Sequence, residues 1–477
     1  MRLRIGNVLD DALALLVIFE IIALGQLAAY PFSLYTVGSF AWYQALVLQG
    51  LAPLSPLLLV LLLYAWLARL ILRVARKRSI RVNKFIQFLS ELVRTRLKQN
   101  SSPEQFIILR YPGLLLVIAM TVAGLLACFA YLPGLNPNGN PVGLDTPTYI
   151  DWTRQMLTRP FPQAISYAFS GADQGFRPLP LILFYSIASL GVTPEQAVEF
   201  SPLILGPLLS LSVFVFVRAG SGENGTAAIT ALVASFSFDI TVGIWAGYLA
   251  NWLAMIIAFF LLAGFFFFER SKRKTIIVPL ILLSLALLLT HPWTWVLILA
   301  TTLVFAITRS RDQRRLLTLS TIVLIASGII VDFAKNQVAG GTTLAADLGT
   351  KAPVFGISQF LMFWPNVFEE LTVFYNGLLG NALLLGLSTL PFVVIRFHGK
   401  MEGMLACWVA SASVPFALLN SFHQTRLIYD LPLPPLIAMG LLLIMSRAGG
   451  GNLRASLMLL VVLLFGANYA LGAIVQA

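Results

Sequence analysis

Residues 143–152 read GLDTPTYIDW. Asp145 and Asp151 stand here in a polar stretch, just after an apolar run at about 112–132. That run matches the ~20 residues a helix needs to cross a bilayer. Gly143 and Pro147 break regular structure on either side of Asp145 and hold it on a short constrained turn. Tyr149, four residues on, falls one helical turn beyond the acid. An aspartate followed closely by proline is a helix-start signal, so Asp145 can cap a helix beginning near Thr148. It can also act as a base, and the two roles are compatible. Asp151, beside Trp152 and Arg154, reads as part of a solvated helix face.

The 477-residue chain is 58% hydrophobic and only 11% charged. A soluble protein of this length could not bury so much apolar surface, so the chain is read as a polytopic membrane protein. Its formal charge of +12 is carried in short basic runs between apolar spans. That distribution points to membrane topology rather than to nucleic acid. Cys128 and Cys407 lie in apolar segments and suggest neither a disulfide nor a metal site. Glu20 interrupts the first apolar run, which favours a retained span over a cleaved signal.

The runs give an all-α fold of about thirteen spans with the N-terminus cytoplasmic and the C-terminus external. Residues 1–111 form an extension with spans near 10–30 and 45–68. From Arg69 to Lys98 it holds ten Lys/Arg against one acid, Glu91, a strong cytoplasmic marker. Val82, Phe85, Ile86, Leu89, Leu92, Val93 and Leu97 share one helix face, as in a basic amphipathic helix on the inner leaflet. It reads as an interfacial connector, with docking of a membrane partner as the sharper reading. A core follows over 112–446, and 447–477 holds the last span. RPLPLILFYSIASLG (177–191) is too short to cross and reads as an interfacial or re-entrant helix. The first external loop therefore runs from 134 to 198, with short interfacial helices; further external segments are 237–251 and 334–376. The chain is expected to end with this last span, without an appended soluble domain.

Carboxylates gather on the external side at Asp145, Asp151, Asp173 and Asp239, with Arg177, His291 and Arg426 among the cations. An acid there can activate a hydroxyl or amide, and a cation can hold a phosphate leaving group. Each residue also has a plainer reading. Arg177 can snorkel, His291 in LLLTHPWTW can be a hydrogen-bonded turn residue, and Arg426 can pair with Asp430. The rim aromatics, Tyr248 and Trp295 among them, read mostly as an interfacial belt.

This ordered set resembles the GT-C glycosyltransferases, membrane enzymes that use lipid-linked sugars, among them protein O-mannosyltransferases, oligosaccharyltransferase catalytic subunits and aminoarabinose transferases. The resemblance covers about 112–446 and rests on GLDTPTY, FRPLPL, SFDITVGIWAGYLANWLA, LTHPWTW and TRLIYDLPLPP. It implies that Asp145 contacts or deprotonates the acceptor, with Tyr149 and Asp173 as acceptor-site candidates. It implies that Arg426, His291 and Arg177 hold the phosphate of an isoprenoid-phosphate sugar donor. Oligosaccharyltransferases carry paired acids in the second loop and a large external C-terminal domain. This chain has Asp239 alone in that loop, and no such domain is expected after it. Transfer of a whole oligosaccharide is therefore not expected, Asp239 is only a weak metal candidate, and a divalent cation (Mg or Mn) stays an open cofactor. The expected protein is an integral membrane enzyme of the plasma membrane or its equivalent, with its site outside. The competing readings are a transporter or flippase and a non-catalytic scaffold of envelope glycan assembly.

Overall fold

Apolar runs between basic clusters become helices, and among the described residues no strand occurs. The structure is a computed structural model that describes residues 111–271, 273–351, 382–394, 399–416, 426–447 and 452–475. Residues 1–110 of the expected N-terminal extension and residues 352–376 of the third expected external segment lie outside these residues.

The first helix, α1 (Pro112–Phe129), matches the apolar run expected at about 112–132 and is long enough to cross a membrane. The polar segment after it folds into four short helices, α2 (Thr146–Leu157), α3 (Phe161–Ser170), α4 (Pro178–Ala188) and α5 (Pro194–Glu199). Proline at the first turn starts each of them, where its missing N–H costs nothing. Helix α4 is the FRPLPL element, and its 11 residues are too few to cross. Helices α2, α4 and α5 pack on one another.

The bundle continues with α6 (Ser201–Ser221), α7 (Asn224–Ala234), α8 (Phe238–Trp245), α9 (Leu249–Ser271), α10 (Ile277–Thr290), α11 (Pro292–Ile307) and α12 (Arg311–Ala339). After α13 (Leu344–Lys351) come α14 (Ala382–Val394), α15 (Lys400–Phe416), α16 (Leu433–Arg447) and α17 (Asn452–Val475). Six stretches among the described residues are long and apolar enough to span a membrane: 112–129, 194–221, 224–245, 249–271, 313–339 and 455–474. Helix α6 is central, against α1, α7 and α9. Gly206 makes its contact with α1 close: a Cβ there would lie 3.0 Å from the Ala123 carbonyl oxygen. Phe216, Phe259, Phe266 and Trp408 join rings in the interior.

Two boundaries differ from the expectation. Residues 238–245 of the expected second loop are helical, because FDITVGIW is apolar and its helix turns inward; only Ala246, Gly247 and Tyr248 link α8 to α9. Helix α12 runs on past 333 to Ala339, because AKNQVA contains no breaker before Gly340, whose φ of 76° ends the helix.

The basic clusters gather at one end of the bundle. Lys400 Nζ lies 3.1 Å from Glu269 Oε2, Arg309 donates to the Lys400 carbonyl, and Arg270 donates to the Ala219 carbonyl. Helices α9 and α11 start at the opposite end, where the acid-bearing turn lies.

Candidate active site

Asp145 occupies the cap position of α2, but its side chain makes no capping hydrogen bond. The helix begins at Thr146, two residues earlier than expected, and Tyr149 N–H bonds back to the Asp145 carbonyl. The carboxylate instead faces two guanidinium groups. Its Oδ2 lies 3.7 Å from Arg426 Nη2 and 4.0 Å from Arg177 Nη1.

The turn carrying Asp145 is fixed from behind by the link between α8 and α9. Leu144 N–H donates to the Trp245 carbonyl and Asp145 N–H donates to the Ala246 carbonyl, at 3.3 and 3.0 Å. The approach needs two glycines. Gly143 has φ 101°, and a Cβ on it would lie 2.6 Å from the Ile244 oxygen. Gly247 has φ 68°, and its Cβ would lie 2.8 Å from Thr146 N. Both conformations favour a residue without a side chain.

Arg177 precedes α4 and is held in place by three groups. Its Nε lies 2.9 Å from Asp173 Oδ2, its Nη1 donates to Tyr149 Oη at 2.9 Å, and Asp145 lies just beyond. Burial opposes its charge, yet Tyr149, Asp173 and Asp145 outweigh burial and keep it cationic. Tyr149 is fully buried, edge-on to Trp152 and Phe184, and burial pushes its phenol above the ordinary range. Asp173 sits on an unusual turn in which Asp173, Gln174 and Gly175 all have positive φ, at 44°, 55° and 79°. Lys335 of α12 braces that turn. Its ammonium donates to the Gly175 carbonyl at 3.2 Å and pairs with Asp332 at 3.0 Å.

Arg426 lies in the helical residues 426–429 and is 6% exposed. Its guanidinium carbon lies 3.6 Å from the centroid of the Tyr248 ring. Tyr248 in turn stands edge-on to Tyr429, which donates to the Asp239 carbonyl at 2.6 Å. Asp430 is buried, and Thr294 Oγ1 donates to its Oδ2 at 2.6 Å. Thr294 also meets His291, which caps α11 by accepting from Thr294 N–H. Burial pushes the Asp430 carboxyl up to about 7 against the opposing pull of Thr294 and Arg426. For Asp145, burial raises the carboxyl above the ordinary range, opposed by Arg426 and then Arg177 and reinforced by Asp173.

The fold thus brings Asp145, Tyr149, Asp173, Arg177 and Arg426 into one cluster. His291 reaches it through Thr294 and Asp430. Asp239 is wholly buried on α8 and meets the cluster through its backbone carbonyl on Tyr429. Of three further residues that structure the site, Gly247 and Thr294 carry no assignment from sequence, and Tyr248 reads there only as a rim aromatic. Thr294 stands three residues after the cap, in HPWT, a position from which capping could have been read.

A groove of about 450 Å³ runs along α11 and α12, lined by Trp295, Leu299, Ala300, Leu303, Ile325 and Ile329, with Asp332 among its lining residues.

No family model matches the sequence, and no curated protein matches it. Solved structures do. The apo crystal structure of the Archaeoglobus fulgidus oligosaccharyltransferase superposes with a TM-score of 0.51 at 13% identity, over 77% of this chain and 56% of that one. The chain therefore spans little more than half of that protein. A mycobacterial arabinofuranosyltransferase, AftD, matches with a TM-score of 0.46 at 17% identity, over 76% of this chain and 27% of that one. What this chain shares with the oligosaccharyltransferase is its architecture: it has the GT-C fold.

Proposed function

We propose that the chain is a membrane glycosyltransferase that moves a sugar from an isoprenoid-phosphate donor to a lipid, glycan or protein acceptor on the external face. The observation that supports this most is the Asp145 carboxylate, set 3.7 Å from the Arg426 guanidinium at the end of the bundle away from the basic clusters. The finer topology belongs to the same reading: thirteen spans, a cytoplasmic N-terminus, a plasma-membrane or equivalent location, and a partner at the N-terminal spans.

Asp145 takes the acceptor's proton as the acceptor oxygen or nitrogen bonds to the anomeric carbon. The bond from that carbon to the phosphate oxygen breaks on the opposite face, and its electron pair leaves on the phosphate, so configuration inverts. The N–H edge of Arg426 receives the charge that develops there. Burial strengthens the Asp145 carboxylate as a proton acceptor, the direction a general base needs. Arg177 supplies the second cation, and Tyr149 acts through it. Asp173, whose side chain is 30% exposed, remains the acceptor-side candidate. His291 acts on the phosphate side through Thr294 and Asp430. The apolar groove along α11 and α12 takes the isoprenoid tail.

A divalent ion needs clustered oxygen ligands. Among the described residues no group of three or more His, Cys, Asp or Glu side chains converges, and Asp145 already faces two guanidinium groups.

The test is transfer by the full chain in nanodiscs, supplied with a panel of isoprenyl-phosphate sugars. Asp145→Asn is expected to lower the rate by about 10²-fold or more. Unchanged transfer by that variant removes the base assignment. Movement of the donor across liposomes without any transfer favours a transporter.

A further inference from the structure

The link between α8 and α9 touches both charged partners of the site with consecutive residues. Ala246 and Gly247 lie against the backbone of Asp145, while Tyr248 lays its ring under the Arg426 guanidinium at 3.6 Å. Tyr248 is itself buried and edge-on to Tyr429, only three residues after Arg426. Nothing in this arrangement requires Tyr248 to touch substrate.

We propose that Tyr248 is the positioning residue of the phosphate-binding guanidinium, and that the 246–248 link sets the spacing between acid and cation as one rigid piece. The inference rests on the functional reading above. A guanidinium is planar and carries its five N–H donors in that plane. A ring stacked on its face therefore fixes the plane without itself occupying a donor. Attraction between cation and ring face grows as water is excluded, and both groups here are buried. Holding a long arginine in one conformation beforehand removes an ordering cost from ligand binding. A carboxylate partner alone would not do this, because it would use those donors.

The experiment compares Tyr248→Phe, Tyr248→Leu and Arg426→Gln in the purified full chain. Farnesyl phosphate is the probe, binding is read by calorimetry, and thermal melting reports the fold. Tyr248→Phe keeps the ring face and is expected to bind within about twofold of wild type, whereas Tyr248→Leu keeps apolar volume and is expected to bind about 5- to 30-fold more weakly. Arg426→Gln is expected to abolish binding. If Tyr248→Leu melts well below wild type, Tyr248→Met takes its place, with the same expected loss. Equal affinity for the leucine and phenylalanine variants overturns the stacking role, whether both bind normally or both bind weakly. If Arg426→Gln loses binding while Tyr248→Leu binds normally, the positioning inference fails and the site stands. Wild-type affinity in Arg426→Gln removes the site, and the inference with it.

Discussion

Thr294 Oγ1 lies 2.6 Å from Asp430 Oδ2 and 2.7 Å from His291 Nδ1, so one hydroxyl joins two titratable groups beside Arg426. The Asp430 carboxyl is raised from 3.8 to about 7, first by burial. The folded state therefore holds this proton more tightly than the unfolded chain. Its stabilising effect is complete below about pH 4 and is lost as pH rises through about 7. Arg426, Asp239, His291 and Tyr429 surround or couple to the carboxyl, and none is removed by Asp430→Asn. Melting of the wild type in detergent is expected to fall between pH 5 and pH 7, with a smaller fall in Asp430→Asn. Parallel curves for the two proteins contradict this.

Two glycines offer a paired test of the link behind Asp145. Gly247 and Gly222 both have positive φ, at 68° and 80°, but a Cβ on Gly222 meets nothing within 4 Å. Alanine at Gly222 is expected to cost only the left-handed strain, about 1–2 kcal/mol. Alanine at Gly247 adds a clash with the Asp145 turn. Gly247→Ala is expected to destabilise more and to lower transfer by about 10²-fold, the scale of a 1 Å misplacement. Equal melting and equal transfer in the two variants would show that the link does not set the acid.

The groove along α11 and α12 can be filled from Ala300, which lines it. Ala300→Phe is expected to raise KM for long-chain isoprenyl donors several-fold, with kcat nearly unchanged, and to spare short-chain donors. That pattern is loss of uniform binding energy. A kcat effect shared by both donor lengths would place the tail elsewhere.

The apolar runs and basic clusters marked the described spans well, because both follow from the bilayer's demand for paired backbone and its charge asymmetry. The short Pro-Leu helix was legible because its length forbids crossing. GLDTPTY showed a constrained acid, and the turn is there. What the chain order could not reveal is that Asp145 would leave its capping hydrogen bond unmade. Arginines far along the chain decide that. Tyr149 was placed one turn from the acid, yet its burial under Arg177 depends on α4 packing against α2. Tyr248 looked like one more rim aromatic, since composition does not distinguish a ring facing lipid from one facing a guanidinium. The end of α12 was set too early because hydropathy falls before the helix does.

The turn at Asp173–Gly175 behaves as a loaded spring. Asp173 and Gln174 sit in a region that ordinary side chains avoid, at about 1–3 kcal/mol each. The ammonium of Lys335 and the amide of Thr342, which donates to the Gln174 carbonyl at 3.0 Å, form its latch. The latch hangs from the C-terminal end of α12, the same helix that walls the groove. Lys335→Met is expected to let the backbone relax toward right-handed geometry and to draw the Asp173 carboxylate off Arg177. Amide exchange at 173–176 is expected to quicken in this variant, and unchanged exchange there contradicts the latch.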